Sequence, residues 1–396
     1  MVKSFGSQII IIFQFFILLH KCCKLFLFLN SFMILYFYNI NRLKTILTIY
    51  VMLFKFLFLT YLSTINSLKI ASDKTFKQFI QKEAWENSEI NDLHHVLYSI
   101  ESACADINRL IRRVSVNNLV GLQNKINIQG EEQKKLDLLS NKIMKNAICC
   151  SGKVCGIVSE EDEHICRCSD ITGNIAFNGE YFVVFDPLDG SSNIDCGLPT
   201  GTIFGIYKKP KFQIGITDKA FTQKGSNLIL AGYCLYSAST NLVLCYNNNI
   251  NMFMYDDLLN QFILTDTNIK IPKKGKIISF NEANYNSWNS NIKTYINNIK
   301  KIKGYTSRYM GALVADTHNI LINGGIFGYP SSDYAPEGKL RLVYEANPLS
   351  YIIETAGGKA INGSSKILNL HVNKIHQRTQ LFYGSYDEVS FLETFL

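Results

Sequence analysis

Apolar residues recur at helical spacing from about residue 73 to 115: Phe76, Phe79, Ile80 and Trp85, then Leu93, Val96, Leu97, Ile100 and Ile107. That spacing predicts helix with core-facing stripes. Glu131 to Ala147 predicts another helix. The pattern then changes to short apolar runs bounded by turn residues. These predict strands at about 153–158, 181–186, 201–207, 228–236 and 241–246. Phe253-Met254-Tyr255 and Phe262-Ile263-Leu264 predict a strand pair within 252–266. A polar turn, Lys270-Ile271-Pro272-Lys273-Lys274-Gly275, separates two patterned halves. Strands and helices alternate beyond it, through Ile277–Phe280, Leu313–Asn319 and Tyr351–Ala356. The whole predicts an α/β sandwich of stacked layers.

Residues 1–69 are a different material. Segments 8–19, 25–38 and 46–62 are strongly apolar, each shorter than or close to the minimum for a bilayer span. Three readings fit. One is a membrane anchor. One is a secretory or organelle-targeting leader, since Met52-Leu53-Phe54-Lys55 followed by Phe56–Leu62 resembles a signal peptide if translation begins at Met52. The third is an extension translated from AT-rich non-coding sequence, outside the working protein. The predicted organisation is therefore 1–69 as extension, 70–270 as an N-terminal domain and 271–396 as a C-terminal domain.

The formal charge of +8 is localised in that extension, which has seven Lys or Arg and no acid. The remainder carries 33 basic against 32 acidic residues, so global charge gives no support for a nucleic-acid partner. Membrane contact is expected only if residues 1–69 belong to the working protein. None of the 11 cysteines forms a Cys-x-x-Cys pair, which argues against a zinc site. A large catalytic domain of this kind ordinarily keeps its thiols reduced in the cytosol.

The candidate chemistry lies in Phe185-Asp186-Pro187-Leu188-Asp189-Gly190-Ser191-Ser192-Asn193-Ile194-Asp195, directly after a strand-like run. Asp186 and Asp189 can address one divalent cation, and the Gly190-Ser191-Ser192 backbone can offer N–H groups to a phosphate. Those are the parts of a metal-assisted phosphoester hydrolase. An ordinary Asp-Pro and Asp-Gly turn is the bland alternative. Glu160-Glu161-Asp162 supplies a second acidic group, whose carboxylates repel one another unless a cation separates them. Asp137 stands at the start of an amphipathic segment, where it either caps the helix or takes part in catalysis.

Lys134-Lys135-Leu136-Asp137-Leu138-Leu139-Ser140-Asn141, Glu160-Glu161-Asp162 and the Phe185–Asp195 run resemble the fructose-1,6-bisphosphatase family. So do Gly201–Tyr207, Arg308-Tyr309, Val314-Ala315-Asp316-Thr317-His318, Gly324–Pro330, Gly338–Leu342, Tyr344-Glu345-Ala346-Asn347-Pro348 and Ala356-Gly357-Gly358. Order and spacing hold from about Ser72 to Phe395. The Asp-Pro-x-Asp-Gly-Ser core alone would indicate only the wider lithium-sensitive sugar and inositol phosphatase superfamily. Asn193-Ile194-Asp195 and Lys339-Leu340-Arg341-Leu342 narrow it to this branch.

The resemblance implies a layered α/β/α/β/α sandwich of the sugar phosphatase type, with two sheets and the active site between the halves. It implies cleavage of fructose 1,6-bisphosphate to fructose 6-phosphate and phosphate by Mg²⁺-activated water, in gluconeogenesis. Two to three Mg²⁺ ions per subunit, with Mn²⁺ as a substitute, would be held by Glu160, Glu161, Asp186, Asp189, Glu345 and the Leu188 carbonyl. Asp137 and Glu161 would take the water's proton. Gly190, Ser191 and Ser192 would hold the 1-phosphate, and Lys339 would contact the sugar phosphate. Asn281, Tyr309 and Tyr329 match 6-phosphate ligands. Arg308 matches an arginine that reaches a neighbouring subunit's site, implying a homotetramer. The expected compartment is cytoplasmic, with organelle targeting or membrane anchoring through residues 1–69 as the alternative. Rival functions are a sedoheptulose-1,7-bisphosphatase, a related sugar or inositol phosphatase, and a catalytically silent regulator.

The chain departs from the family pattern in two places at the substrate site. Where the family carries a further phosphate-binding tyrosine, this chain has Asn284 followed by Tyr285. Leu313 replaces a substrate-side methionine of similar volume. Between Tyr207 and Ala231 it lacks the cysteine-bearing insert of plastid members. The resemblance also locates an allosteric AMP site, and there the chain has Asn87-Ser88-Glu89-Ile90-Asn91, Glu180 before Tyr181, and Lys208 for arginine. An acid in place of a phosphate partner opposes nucleotide binding. Micromolar AMP should therefore leave the activity of purified protein nearly unchanged, and inhibition in a standard phosphate-release assay would overturn that expectation.

Overall fold

The apolar runs of the first half become the strands of one eight-stranded mixed sheet. The computed structural model describes residue 52 and residues 74–86, 92–114, 122–126, 132–173, 179–210 and 218–396. The AMP-site segment 87–91 and nearly all of the apolar extension lie outside the described residues. Residues 73–396 form one compact unit.

The first half contains α1 (Phe76–Glu86), α2 (His94–Arg112), β1 (Leu122–Ile126), β2 (Glu132–Lys134), α3 (Lys135–Cys150), β3 (Val154–Ser159), β4 (Cys166–Arg167) and α4 (Cys168–Thr172). It continues with β5 (Tyr181–Asp189), β6 (Thr200–Lys208), α5 (Asp218–Phe221), β7 (Leu228–Tyr236), β8 (Thr240–Tyr246), β9 (Asn249–Asp256) and β10 (Gln261–Asp266). The second half contains β11 (Ile277–Phe280), α6 (Ser290–Ile299), β12 (Thr306–Ser307), α7 (Leu313–Asn323), β13 (Ile326–Tyr329) and β14 (Leu340–Arg341). A π-helical turn (Leu342–Ala346), α8 (Asn347–Thr355), β15 (Lys359–Ile361), β16 (Arg378–Thr379), β17 (Leu381–Gly384) and α9 (Tyr386–Glu393) complete it.

The large sheet has the order β10-β9-β8-β7-β6-β5-β3-β4, and a second sheet of five strands has the order β12-β11-β13-β17-β15. Side chains alternate across β5. Val183 and Phe185 face α2 and α3, packing with Ile100, Ile107, Met144 and Ile148. Phe182 and Val184 face the other way, in one cluster with Val314 and Leu321 of α7 and Leu349 and Ile353 of α8. That cluster continues to Phe327 and Tyr383 of the second sheet. On the far side of that sheet, Ile278, Phe280, Ile326 and Phe382 cover Ile292 and Ile296 of α6 and Val389 and Leu392 of α9. The result is five layers, α/β/α/β/α, as expected. Strands covered on both faces read as unbroken apolar runs rather than alternating ones, which is why β5 to β8 are so plain in the sequence.

Two details differ from the sequence reading. The helix predicted from Glu131 begins only at Lys135, because Glu132–Lys134 pair antiparallel with β1. Asp137 fixes that start by accepting the Lys134 backbone N–H at 2.8 Å, as an acid at the third helical position does in a capping box. The second difference concerns the thiols: Cys149, at the end of α3, is disulfide-bonded to Cys168, at the start of α4. Both residues are fully buried. The bond closes the chain around β3 and the Glu160-Glu161-Asp162 loop. Asp162 is also held from α3, by Asn141 Nδ2 at 3.1 Å and by Lys145 Nζ at 2.7 Å.

A loop spanning 19 residues predicts that Cys149→Ser lowers stability by about 3 kcal/mol. Thermal denaturation of wild type and variant, each with and without dithiothreitol, measures this. The variant should melt lower than oxidised wild type and be insensitive to reductant; equal midpoints would contradict the prediction.

Candidate active site

Two acids three residues apart on a regular strand point to opposite faces. In β5 they do not, because the register against β6 slips: Asp186 pairs with Ile203 but Asp189 with Gly201. The extra residue is a β-bulge, which turns both carboxylates to one side. Pro187 fits there because it has no N–H to give the ladder. Its carbonyl instead accepts the Thr202 hydroxyl at 2.8 Å. The Leu188 N–H donates to Asp186 Oδ1 at 2.9 Å.

The chain then turns at Gly190, with φ +73°, where a Cβ would lie 2.5 Å from the Cβ of Ala312. Only glycine fits both the conformation and the close approach. Ser191–Cys196 follow as a 3₁₀ helix. Asn193 Nδ2 donates to the Pro199 and Met310 carbonyls, each at 2.9 Å, which ties this turn to the Arg308–Ala312 segment. Asp189 accepts the first two N–H groups of α7, from Leu313 at 3.0 Å and Val314 at 2.7 Å. A carboxylate at a helix N-terminus satisfies orphan donors and meets the positive end of the dipole.

Glu160 enters from the end of β3 and Glu345 from the π-helical turn. Ligand oxygens of Glu160, Asp186 and Glu345 lie within 4.8 Å of one another. Pro348 offers no N–H to the Tyr344 carbonyl, which favours a widened turn at that point. Arg341 stands between the acids. Its backbone N–H donates to Glu345 Oε2 at 2.7 Å, and its guanidinium lies 3.0 Å from Glu160 and 3.6 Å from Glu345.

These groups line a cavity of about 370 Å³. Of the residues expected from sequence, Asp137, Glu160, Glu161, Asp186, Leu188, Asp189, Gly190, Ser191, Ser192, Tyr309, Tyr329, Lys339 and Glu345 all line it. Asn281 does not; it stands behind Tyr309, with its side chain bonded to the phenol. Arg308 is exposed and outside the cavity, its N–H held by the Ile278 carbonyl at 2.9 Å. Lys134, Gly311, Asp316, Phe327 and Arg341 also line the wall, and sequence reasoning gave them no role. Lys134 Nζ bonds Asp195 at 2.7 Å. Asp316, buried in the first turn of α7, accepts the Ser279 hydroxyl at 2.7 Å and the Met310 N–H at 3.2 Å. An unpaired acid in an otherwise apolar helix start was the signal available for it.

Burial dominates the electrostatics. It pushes Glu345 up to about 8 against the opposing charge of Arg341, and Asp189 up to about 7 against the two α7 N–H groups. Asp186 is raised well above the carboxylate range by burial, then by Glu160, Asp189 and Glu345. Asp137 is raised to about 6 by burial, offset by the Lys134 N–H. One guanidinium does not neutralise this many acids. A set composed wholly of hard oxygen donors, crowded and short of positive charge, fits a divalent cation such as Mg²⁺.

Residues 74–267 match the family model described as fructose-1-6-bisphosphatase, N-terminal domain, and residues 271–396 match its C-terminal domain. The chain is 43% identical over 325 residues to chloroplastic fructose-1,6-bisphosphatase of Pisum sativum, covering 77% of this chain and 79% of the relative. It is 43% identical over 321 residues to the cytosolic enzyme of Oryza sativa subsp. indica, covering 80% and 93%. The crystal structure of Leishmania major fructose-1,6-bisphosphatase in holo form superposes with a TM-score of 0.77 at 37% identity, covering 82% of this chain and 98% of that one.

The raised carboxyls generate a pH prediction. In metal-free protein the folded cluster keeps protons that an unfolded chain gives up near pH 4, so stability from these groups falls as pH rises from about 4 to 8. A cation replaces those protons. Mg²⁺ should therefore raise the denaturation midpoint of chelator-treated protein more at pH 8 than at pH 5.5. An equal rise at both pH values would contradict this.

Proposed function

This chain belongs to the fructose-1,6-bisphosphatase family and is a phosphatase that hydrolyses fructose 1,6-bisphosphate, and we propose how its residues divide that work. The observation that carries the reading is the convergence of Glu160, Asp186 and Glu345 in one cavity that the Gly190–Ser192 turn also lines.

Two to three Mg²⁺ ions, or Mn²⁺ in their place, would be held by Glu160, Glu161, Asp186, Asp189, Glu345 and the Leu188 carbonyl. When bound, they supply Lewis-acid polarisation of the phosphoryl oxygens and lower the pKa of water. The chain's own groups do the rest. Gly190, Ser191 and Ser192 bind the 1-phosphate with N–H and hydroxyl donors. Asp137 takes the proton of the attacking water; a carboxyl near 6 is matched to proton transfer at neutral pH. The Lys134 N–H holds that carboxyl in place. Glu161, which also lines the cavity, is the second proton acceptor. Lys339 adds positive charge against the sugar phosphate. Tyr309 and Tyr329, with Asn281 behind them, bind the 6-phosphate, with Tyr285 near the position the family fills with a further tyrosine.

The same reading makes the enzyme a homotetramer in which the exposed Arg308 completes a neighbouring subunit's 6-phosphate site. It retains a division of the catalytic body at about residue 270. It favours the cytoplasm, in keeping with the cysteine-free stretch between Tyr207 and Ala231, although the Cys149–Cys168 bond departs from the reduced thiols usual there; targeting to an organelle or anchoring through residues 1–69 is the alternative. Relatives occur in both the chloroplast and the cytosol. Among the described residues, no helix is long and apolar enough to cross a membrane.

The test is phosphate release from fructose 1,6-bisphosphate by protein beginning at Ile70, with and without Mg²⁺. Release should require the cation. Asp137→Asn should lower kcat about 10²–10⁴-fold with little change in KM. Lys339→Ala should act mainly on KM. Metal-independent release, or full activity in Asp137→Asn, would overturn the assignment.

A further inference from the structure

The Glu160 loop and the Glu345 turn are joined by a second link that carries no charge. His376 lies in the return segment before β16. Its Nε2 is 3.2 Å from the Glu163 carbonyl oxygen, and its Nδ1 is 2.9 Å from the Tyr344 hydroxyl. A carbonyl oxygen only accepts, so Nε2 carries the proton and Nδ1 accepts from the phenol. Glu163 follows Glu161 by two residues, and Tyr344 immediately precedes Glu345. One imidazole therefore spans two elements that are far apart in sequence and that each bring acids to the cavity.

The imidazole is itself fixed. The Tyr344 ring is fully buried and stands edge-on to it, with centroids 5.8 Å apart. The next residue, Gln377, accepts the Leu342 N–H on its carbonyl at 2.7 Å. Arg378 pairs with Arg341 across the β14–β16 ladder. The Gln377 side chain closes the preceding loop, accepting from Asn373 N at 2.7 Å and donating to the His371 carbonyl at 3.1 Å.

This link differs in kind from Arg341. The guanidinium bridges Glu160 and Glu345 through their carboxylates, and a cation entering the site competes for those oxygens. His376 engages a carbonyl and a phenol, so it holds the two elements whether or not a cation is bound. We propose that His376 is a positioning residue for the cation site, fixing the Glu160-Glu161 loop relative to Glu345. The inference rests on the metal-site reading above.

The experiment measures Mn²⁺ binding to purified protein without substrate, following free Mn²⁺ by electron paramagnetic resonance. His376→Phe keeps a ring and loses both hydrogen bonds. It should weaken Mn²⁺ binding about 10–100-fold, the usual effect of removing a group that orients ligands. The metal concentration for half-maximal activity should rise in parallel. KM for fructose 1,6-bisphosphate at saturating metal should stay within about twofold, a split that general loosening of the fold would not give. His376→Gln, which can bridge a carbonyl and a hydroxyl, should recover part of the affinity. Wild-type Mn²⁺ affinity in folded His376→Phe would overturn the inference. If that variant does not fold, Tyr344→Phe decides, since it deletes one hydroxyl; unchanged Mn²⁺ affinity there overturns the inference as well. The metal-site reading fails separately, through absence of Mn²⁺ binding in wild type or its persistence in Asp186→Asn.

Discussion

The mutual repulsion of Glu160, Asp186, Asp189 and Glu345 is the constraint around which this molecule is arranged. Buried like charges cannot all ionise unless opposite charge and hydrogen bonds compensate them. Each acid has its own compensation. Asp189 takes the first two N–H groups of α7, Asp186 takes the Leu188 N–H, and Glu345 takes the Arg341 N–H. Arg341 then spreads one positive charge over Glu160 and Glu345. Burial first, and then the repulsion that remains, raises the carboxyl pKa values of Asp186, Asp189 and Glu345, and a divalent cation is the ligand that removes the deficit.

Holding acids in this way requires rigid elements from both halves of the chain. β3 and β5 lie side by side toward the β4 end of the large sheet, and their residues, buried on both faces, leave little freedom of register. The helix α7 and the π-helical turn come from the second half, and α7 and α8 pack between the two sheets. The cavity therefore sits where the halves meet, and a shift of either sheet would alter the carboxylate spacing. The Asn193 bonds to Pro199 and Met310 extend the same logic to the phosphate side, locking the Gly190–Ser192 turn to the segment that carries Tyr309.

Much of this was legible in the residues. The strands of the large sheet announced themselves as apolar runs, and Asp186, Asp189 and Gly190 stood out as metal and phosphate donors crowded after a strand; the bulge, the helix cap and the positive φ that they serve came only with the structure. What escaped notice depends on contacts between distant segments. Glu132–Lys134 read as helix because the pairing partner that makes it a strand, β1, carries no apolar pattern of its own. The Cys149–Cys168 bond could not be chosen among 11 cysteines. Arg341 entered only as part of the Lys339-Leu340-Arg341-Leu342 motif and had no role until Glu160 and Glu345 were placed around it. His376 gave no signal at all, since neither Glu163 nor Tyr344 is near it in sequence.

The measurement that bears most directly on the buried acids is the number of protons released when Mg²⁺ binds. Titration calorimetry of chelator-treated protein at pH 7, in two buffers of different ionisation enthalpy, gives that number without substrate or turnover. Carboxyls raised as far as these hold protons at pH 7, so binding should expel about one proton or more per site, and fewer as the pH is raised. Binding without proton release would show that the acids are already ionised in the metal-free fold and would contradict the account that burial and crowding keep protons on them.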